Sequence, residues 1–249
     1  MKILIGTPAY GYQVTAEYHA SVFRLALDFA RRRPEVTLES RTVGLSLLSM
    51  NRNILANMVL QDESYSHLLF IDADMGFAPD VVERMLDFGE PVVGCLYPSR
   101  KRKLDAVVEA ARNGGGREQA LDAGLSFIGT PELAGGRPIV RGDFLRVAEA
   151  GTGLMLIRRE VFEQMRRDCP ELWSDDPLGQ YRGAGLQGVL QLFEPYQMPS
   201  GLYYGEDVAF CRRWIERSGG EVWACWNAEI THVGREQFVG SYAGRLPPP

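Results

Sequence analysis

The sequence has few cysteines, and their spacing excludes several kinds of site. Four cysteines occur in 249 residues, and no two of them have the Cys-x-x-Cys spacing of zinc or redox motifs. They lie in apolar or helical contexts: Cys95, Cys169, Cys211 and Cys225. We therefore expect reduced thiols that serve packing, as is usual in a cytosolic protein.

The sequence also lacks any long hydrophobic run. No stretch of about 18 apolar residues is present, so no membrane-spanning helix is predicted. The apolar start, residues 1–6, is too short for the core of a signal peptide and soon meets Pro8. These absences predict a soluble, cytoplasmic protein without stable membrane insertion.

A surplus of positive charge is missing as well. The net charge is -5 and the pI is about 5.4, whereas domains that grip nucleic acid by bulk electrostatics are usually basic. With 45% hydrophobic residues, the chain is long enough for one large α/β domain or two small ones with a full core.

The most informative stretch present is HLLFIDADMG, residues 67–76. Its apolar part is too short for a helix and has no polar alternation, which predicts a strand buried on both faces. Asp72 and Asp74 then follow at the carboxyl end of the strand, where open α/β sheets bind ligands. Oxygen ligands there suit Mg²⁺ or Mn²⁺ carrying phosphates. The alternative is a turn in which one Asp caps the next helix.

The first 40 residues predict one β-α-β unit. Residues 3–5 form a short apolar strand, a helix runs from Thr15 as N-cap to Arg33 before Pro34, and residues 36–40 alternate as a second strand. The crossover should be right-handed and the two strands parallel.

Basic residues occur at two informative places. Arg52, in an Asn-Arg-Asn trio at the start of a helix, opposes the helix dipole, so it either points to solvent or meets an anion. Four basic residues follow the predicted strand 91–97, and they either neutralise a pyrophosphate or form a solvated face. These are Arg100, Lys101, Arg102 and Lys103.

Two segments have little periodicity. Residues 113–142 are rich in glycine and predict a loop or hairpin insertion, and residues 170–200 predict a long irregular stretch whose aromatics form a lid, an acceptor platform or packing. Between them, Gly151 and Gly153 precede an apolar strand and permit close approach by another group, with a bulge as the alternative.

The last third of the chain adds further polar candidates. Glu206 and Asp207 open a helix, which is ordinary capping chemistry. His232 precedes a turn, where a single histidine is usually structural. Residues 247–249, all proline, predict a frayed tail.

In this order the motifs resemble the GT-A glycosyltransferases, most closely the family-2-like bacterial and phage members. The resemblance rests on HLLFIDAD, VVGCLYP, GTGLMLIRR, GEDVAFCRRW and THVG. It implies an α/β fold with a single GT-A domain over 1–249 and a mostly parallel mixed sheet flanked by helices. Residues 1–98 would bind the nucleotide sugar, 99–145 would be an insertion, 146–246 would bind the acceptor, and 247–249 would be a tail.

The resemblance also implies roles for single residues. Thr7, Pro8 and Tyr10 would line the nucleobase pocket, with Asn51 and Arg52 contacting base, ribose or phosphate. Asp72, Ala73 and Gly153 would complete the site for a UDP-, GDP- or TDP-sugar.

A divalent ion is implied at the diphosphate. Asp74 and His232 would ligate it, with Asp72 reaching the ribose or the water on the metal. A bound cation stabilises the charge that develops on the leaving diphosphate. A histidine with carboxylates is more typical of Mn²⁺ than of Mg²⁺.

For the acceptor hydroxyl, the resemblance implies Asp207 as first and Glu206 as second candidate for general base. If the enzyme retains configuration, this residue would instead orient the acceptor or the donor sugar. Inversion or retention, the donor sugar, the oligomeric state and the acceptor stay open; a glycan, a protein, a lipid or a modified base all fit.

Two other functions are consistent with parts of the pattern. A haloacid-dehalogenase-like phosphohydrolase also carries Asp-x-Asp after an apolar strand, but normally after the first strand, whereas here it follows roughly the third. A catalytically silent nucleotide-sugar-binding protein would not need acids at every motif position.

Overall fold

The structure is a computed structural model that describes residues 1–175, 179–234 and 237–241. The tail predicted at 247–249 lies outside these residues. The helices are α1 (Ala16–Arg32), α2 (Leu48–Gln61), α3 (Pro79–Phe88), α4 (Leu104–Arg112), α5 (Arg117–Ala123), α6 (Arg159–Asp168), α7 (Gln180–Gly183) and α8 (Glu206–Ser218). Short 3₁₀ turns occur at Tyr10–Tyr12 and Pro170–Leu172.

The strands alternate with these helices and gather mainly into one central sheet. They are β1 (Lys2–Pro8), β2 (Thr37–Val43), β3 (His67–Ile71), β4 (Met75–Gly76), β5 (Val92–Cys95), β6 (Tyr97–Arg102), β7 (Leu125–Ile128), β8 (Thr130–Pro131), β9 (Leu133–Ala134), β10 (Arg137–Pro138), β11 (Val140–Arg141), β12 (Phe144–Glu149), β13 (Leu154–Arg158), β14 (Trp173–Ser174), β15 (Val189–Leu190), β16 (Tyr196–Gln197), β17 (Tyr203–Tyr204), β18 (Val222–Cys225), β19 (Ile230–Val233) and β20 (Gln237–Gly240).

The central sheet has the order β11-β12-β18-β5-β13-β3-β1-β2, with β8 beside β12. Most of its strands point the same way; β12 and β13 run against their neighbours, so the sheet is mixed. The predicted β-α-β unit is confirmed, because β1 and β2 are parallel and α1 connects them. Thr15 caps α1 as predicted, accepting a hydrogen bond from the Tyr18 amide at 3.2 Å.

Helices cover both faces of this sheet. On one face α1 and α3 contribute buried side chains such as Phe29 and Met85. On the other face α2, α6 and α8 contribute Leu55, Phe162 and Phe210. The sheet is therefore sandwiched, and β3, between β13 and β1 in its interior, is buried as the sequence predicts. No helix in the described ranges is long and apolar enough to span a membrane.

The two segments of low periodicity contain more structure than the sequence indicates. Of the loop or hairpin predicted for residues 113–142, the hairpin alternative is present as β9 paired with β10, but the segment also contains the helix α5, which was not predicted. In the described part of 170–200, Phe193 is fully buried and stacks on Phe210 with centroids 4.7 Å apart. For Phe193 the packing alternative is therefore correct.

Candidate functional site

The four acids singled out in the sequence lie on two elements that meet at one edge of the sheet. Asp72 directly follows β3, and its amide donates to the Gly153 carbonyl at 2.9 Å. Glu206 and Asp207 are the first two residues of α8. Arg52 of α2 brings the two elements together.

Arg52 is buried, with 2% of its side chain exposed. Its Nη2 donates to both carboxylate oxygens of Asp72, at 3.0 and 3.1 Å, and its Nε lies 3.5 Å from Oε1 of Glu206. Burial by itself would lower the pKa of Arg52, but the two carboxylates outweigh it and raise the pKa. The solvent alternative was wrong: this arginine meets anions, and they belong to the protein itself.

The turn after β3 sends its two carboxylates to different partners. The Ala73 carbonyl between them accepts hydrogen bonds from the amide and the hydroxyl of Thr15, at 2.8 and 3.2 Å. Asp72 turns towards Arg52, whereas Asp74 Oδ2 accepts from Nη1 of Arg100 at 2.9 Å. The Arg100 side chain is 56% exposed. The two carboxylates are similarly exposed, 26% for Asp72 and 24% for Asp74, but their partners differ: Asp72 pairs with a buried arginine, and Asp74 pairs with an exposed one at what we call the rim of the site.

His232 joins Asp74 at the rim. It lies on β19, which pairs with β4 so that His232 is opposite Met75, and the Val233 amide donates to the Asp74 carbonyl at 2.8 Å. Nδ1 of His232 donates to the Pro98 carbonyl at 2.8 Å, and in the neutral ring Nε2 then carries a lone pair. Nε2 lies 3.6 Å from Asp74 Oδ2. The predicted proximity of these residues is confirmed.

The donor atoms at this place fit a hard or borderline divalent cation. An imidazole lone pair and a carboxylate oxygen face each other, and the carbonyl bond on the other ring nitrogen is the support that metal-binding histidines usually have. Within 1–175, 179–234 and 237–241 no group of three or more His, Cys, Asp or Glu is placed to hold a metal. The predicted trio with Asp72 is therefore not assembled, since Asp72 pairs with Arg52. Ion binding by Asp74 and His232 stays a prediction.

Tyr97 fills the space between these groups. Its ring meets the His232 ring edge-to-face with centroids 5.4 Å apart, and its hydroxyl accepts from the Gly153 amide at 3.2 Å. Burial raises the pKa of Tyr97, and the charges of Asp72 and Asp207 add to this. A Cβ on Gly153 would come within 2.7 Å of the Tyr97 hydroxyl. The predicted close approach at the Gly-x-Gly is confirmed, and the approaching group is Tyr97.

Asp207 differs from its neighbour Glu206 in its partners and its surroundings. Glu206 faces Arg52, while the Asp207 carboxylate accepts from the Val208 amide at 2.7 Å. Burial raises the pKa of Asp207, and the negative charge of Glu206 raises it further. The Asp207 carboxyl therefore binds a proton more readily than an ordinary aspartate.

The residues predicted to contact the nucleotide are partly engaged within the protein. Thr7 is fully buried and its hydroxyl hydrogen-bonds that of Tyr18 at 2.5 Å. Asn51 is 2% exposed and exchanges two hydrogen bonds with the backbone of Leu45. Tyr10, by contrast, is 78% exposed. Contacts of these residues, and of Pro8, with a nucleotide stay predictions.

Two residues of the site were not assigned to it from the sequence. Arg100 was considered only as one of four basic residues, and the alternation of β6 was not used to separate them. Tyr97 was treated as the end of an apolar strand. Its signal was the Gly-x-Gly at 151–153, which permits the close approach of a bulky neighbour.

No family model matches the sequence, and no curated protein matches it. One similar solved structure is described as "Crystal Structure of A197 from STIV", with 16% identity, a TM-score of 0.49, and coverage of 98% of this chain and 91% of that one. Another is described as a putative glucose-1-phosphate thymidylyltransferase from Bacillus anthracis in complex with a sucrose. It has 13% identity, a TM-score of 0.32, and coverage of 66% and 74%. Neither score is high enough to carry an argument about this chain.

Proposed function

We propose that this protein is a metal-dependent glycosyltransferase that moves a sugar from a nucleoside-diphosphate sugar to a hydroxyl acceptor. The observation that carries the proposal is the meeting of two acid pairs and one histidine at one edge of the sheet. Asp72, Glu206 and Arg52 form its floor, and Asp74 lies 3.6 Å from His232 at its rim.

The rim would serve the leaving group. Asp74 and His232 offer two ligands, which suits Mg²⁺ or Mn²⁺ because such ions commonly take few protein ligands and complete their shell with phosphate oxygens and water. A cation held there supplies Lewis-acid stabilisation of the diphosphate as it leaves. Asp72, held by Arg52, is presented in a fixed orientation to the donor sugar or ribose.

The start of α8 would serve the acceptor. Asp207 accepts the proton of the attacking hydroxyl, and the raised pKa of its carboxyl improves it as a base. Glu206 is the weaker candidate for this task, because its carboxylate already faces Arg52. Its proposed role is to hold Arg52, and through Arg52 also Asp72, in position.

The phosphohydrolase alternative loses support from two observations. Asp72 follows the third strand of the chain. As a nucleophile it would also need a free carboxylate oxygen, yet both oxygens accept from Arg52.

The test is incubation with a panel of UDP-, GDP- and TDP-sugars, Mn²⁺ and mixed hydroxyl acceptors, followed by measurement of released nucleoside diphosphate. We expect release with at least one donor and its loss in Asp74→Ala. Arg41→Ala, at a surface ion pair with Glu39, is the matched control and should behave as the wild type. No binding or hydrolysis of any donor, together with an unaltered Asp74→Ala variant, would reject the function.

A further inference from the structure

Arg100 occupies an unusual place for a surface arginine. Its Nη1 donates to Oδ2 of Asp74 at 2.9 Å, and this is the same oxygen that His232 Nε2 faces at 3.6 Å. One carboxylate oxygen therefore has both a guanidinium and an imidazole nitrogen as close neighbours. The protein supplies its own positive charge at the atom to which a divalent ion is assigned.

The contact is one that is easily exchanged. The Arg100 side chain is 56% exposed, and Asp74 is 24% exposed. Exposed ion pairs of this kind change an equilibrium constant by no more than about fivefold. Among the described residues, Asp74 is the one recorded partner of this guanidinium.

The side chain of Arg100 and the position of its backbone also suit a second partner, the diphosphate. It lies on β6, two residues after Pro98, whose carbonyl accepts from Nδ1 of His232. A planar guanidinium matches phosphate oxygens with two parallel hydrogen bonds. Because β6 keeps its backbone beside His232, a released guanidinium stays next to the proposed diphosphate position.

We propose that Arg100 is an exchangeable cation of this site: it neutralises Asp74 in the empty enzyme, gives up that oxygen when a divalent ion binds, and then holds the diphosphate. This inference rests on the proposed function. It makes Arg100 a competitor of the metal and a ligand of the nucleotide.

The two roles predict effects of opposite sign in one variant. In Arg100→Ala, Mn²⁺ alone should bind about two- to fivefold more tightly, because its competitor is gone. In the presence of saturating Mn²⁺, UDP, GDP or TDP should bind about tenfold more weakly, because a charge-assisted hydrogen bond to phosphate is lost. A residue with a merely structural role would not separate these two constants in opposite directions.

Both constants can be measured without turnover. Electron paramagnetic resonance follows free Mn²⁺ during titration of the protein, and calorimetry gives the nucleotide affinity. Arg100→Lys keeps the charge and should lie between Arg100→Ala and the wild type. Lys101→Ala is the matched control, because it removes an equal charge from the exposed neighbour of Arg100 in sequence; it should change neither constant.

The outcomes separate this inference from the proposed function. If the wild type binds Mn²⁺ and a nucleoside diphosphate while Arg100→Ala leaves either constant unchanged or moves both in one direction, the role of Arg100 is overturned and the function stands. If the wild type binds neither ligand, both are overturned. Equal thermal unfolding of the variants excludes misfolding as the cause.

Discussion

The two acid pairs of the site, Asp72 with Asp74 and Glu206 with Asp207, are built alike and surrounded differently. In each pair one carboxylate faces the buried Arg52. The second acid of the first pair lies against Arg100 and near His232. The second acid of the other pair is half-buried beside a like charge, and both desolvation and that charge raise its pKa.

This difference separates two chemical tasks. A carboxylate next to cations is favoured in its ionised form, and that form attracts further cations. A carboxylate in a dry place next to another acid binds a proton more readily. The same residue type thus lies beside an arginine and a histidine at Asp74, whereas at Asp207 burial and a neighbouring acid raise its pKa.

The largest effect is expected from removal of Arg52, the arginine that both acid pairs share. Arg52→Ala should lower the free energy of unfolding by about 3–5 kcal/mol, because two carboxylates lose their buried partner. Urea unfolding measures the change. Arg41→Ala, at an ion pair whose arginine is 56% exposed, should cost less than about 1 kcal/mol. An Arg52→Ala variant as stable as Arg41→Ala would show that the shared anchor is unimportant.

The second prediction separates the two acids of α8. Asp207→Asn should reduce kcat about 10²–10⁴-fold if it removes a general base, whereas Glu206→Gln should act mainly on stability through Arg52. Release of nucleoside diphosphate and urea unfolding are measured on both variants. Equal losses of kcat in the two variants would contradict separate roles.

The raised pKa of Asp207 also predicts a pH dependence. The folded carboxyl binds its proton more readily than the unfolded one, so ionising it as pH rises through its folded pKa costs stability. Asp207→Asn removes this cost and should be at least as stable as the wild type at neutral pH, although inactive. In the profile of kcat against pH, the midpoint of the acid limb should lie above the ordinary pKa range of aspartate. Thermal unfolding from pH 4 to 8 and a pH-rate profile test both points.

The third prediction concerns the cation-binding side alone. Mn²⁺ at about 100 times its Kd should stabilise the folded protein by about 2.7 kcal/mol. This gain should disappear in Asp74→Asn and in His232→Ala, and persist in His19→Ala, a change at an exposed histidine on α1. Thermal shift with and without Mn²⁺ measures it. A gain that survives both rim variants would place the ion elsewhere.

The smallest expected effect concerns the turn that parts Asp72 from Asp74. Thr15→Val removes both the cap of α1 and the hydroxyl bond to the Ala73 carbonyl, and should cost about 1 kcal/mol. Thr15→Ser keeps both bonds and should be nearly neutral. Urea unfolding compares the two, and equal stability of Val and Ser variants would show that neither bond matters.

Local patterns and chain topology predicted much of this site. The apolar run before Asp72 indicated a buried strand because a strand covered on both faces needs no polar alternation. The helix start at Glu206 and the Gly-x-Gly before β13 could likewise be predicted from neighbouring residues alone. The proximity of Asp74 and His232 came from the resemblance, and no spacing in the sequence would have produced it.

The charge partners were not predictable in the same way. Arg52 pairs with an acid 20 residues away and with another on α8, and no sequence period connects these positions. Its burial is paid for by two carboxylates at once, which only the folded arrangement supplies. The dipole argument left an anion and solvent open, and it assumed Arg52 in the first turn of a helix that in fact begins at Leu48.

The helix α5 was missed for a different reason. It has seven residues between glycines, and of its side chains only Ala120 is buried. Neighbouring α4 buries none. Seven residues make only two helical turns, too few for a 3.6-residue pattern to stand out, so the segment was interpreted as a loop.

The pairing of β19 with β4 has a consequence for synthesis of the protein. His232 contacts the Pro98 carbonyl across 134 residues of chain, so the rim is completed only after nearly all other described elements have left the ribosome. A nascent chain that already contains Asp72 and Asp74 still lacks its imidazole. A ligand that needs both Asp74 and His232 would therefore find its site only late in synthesis, once β19 has paired with β4.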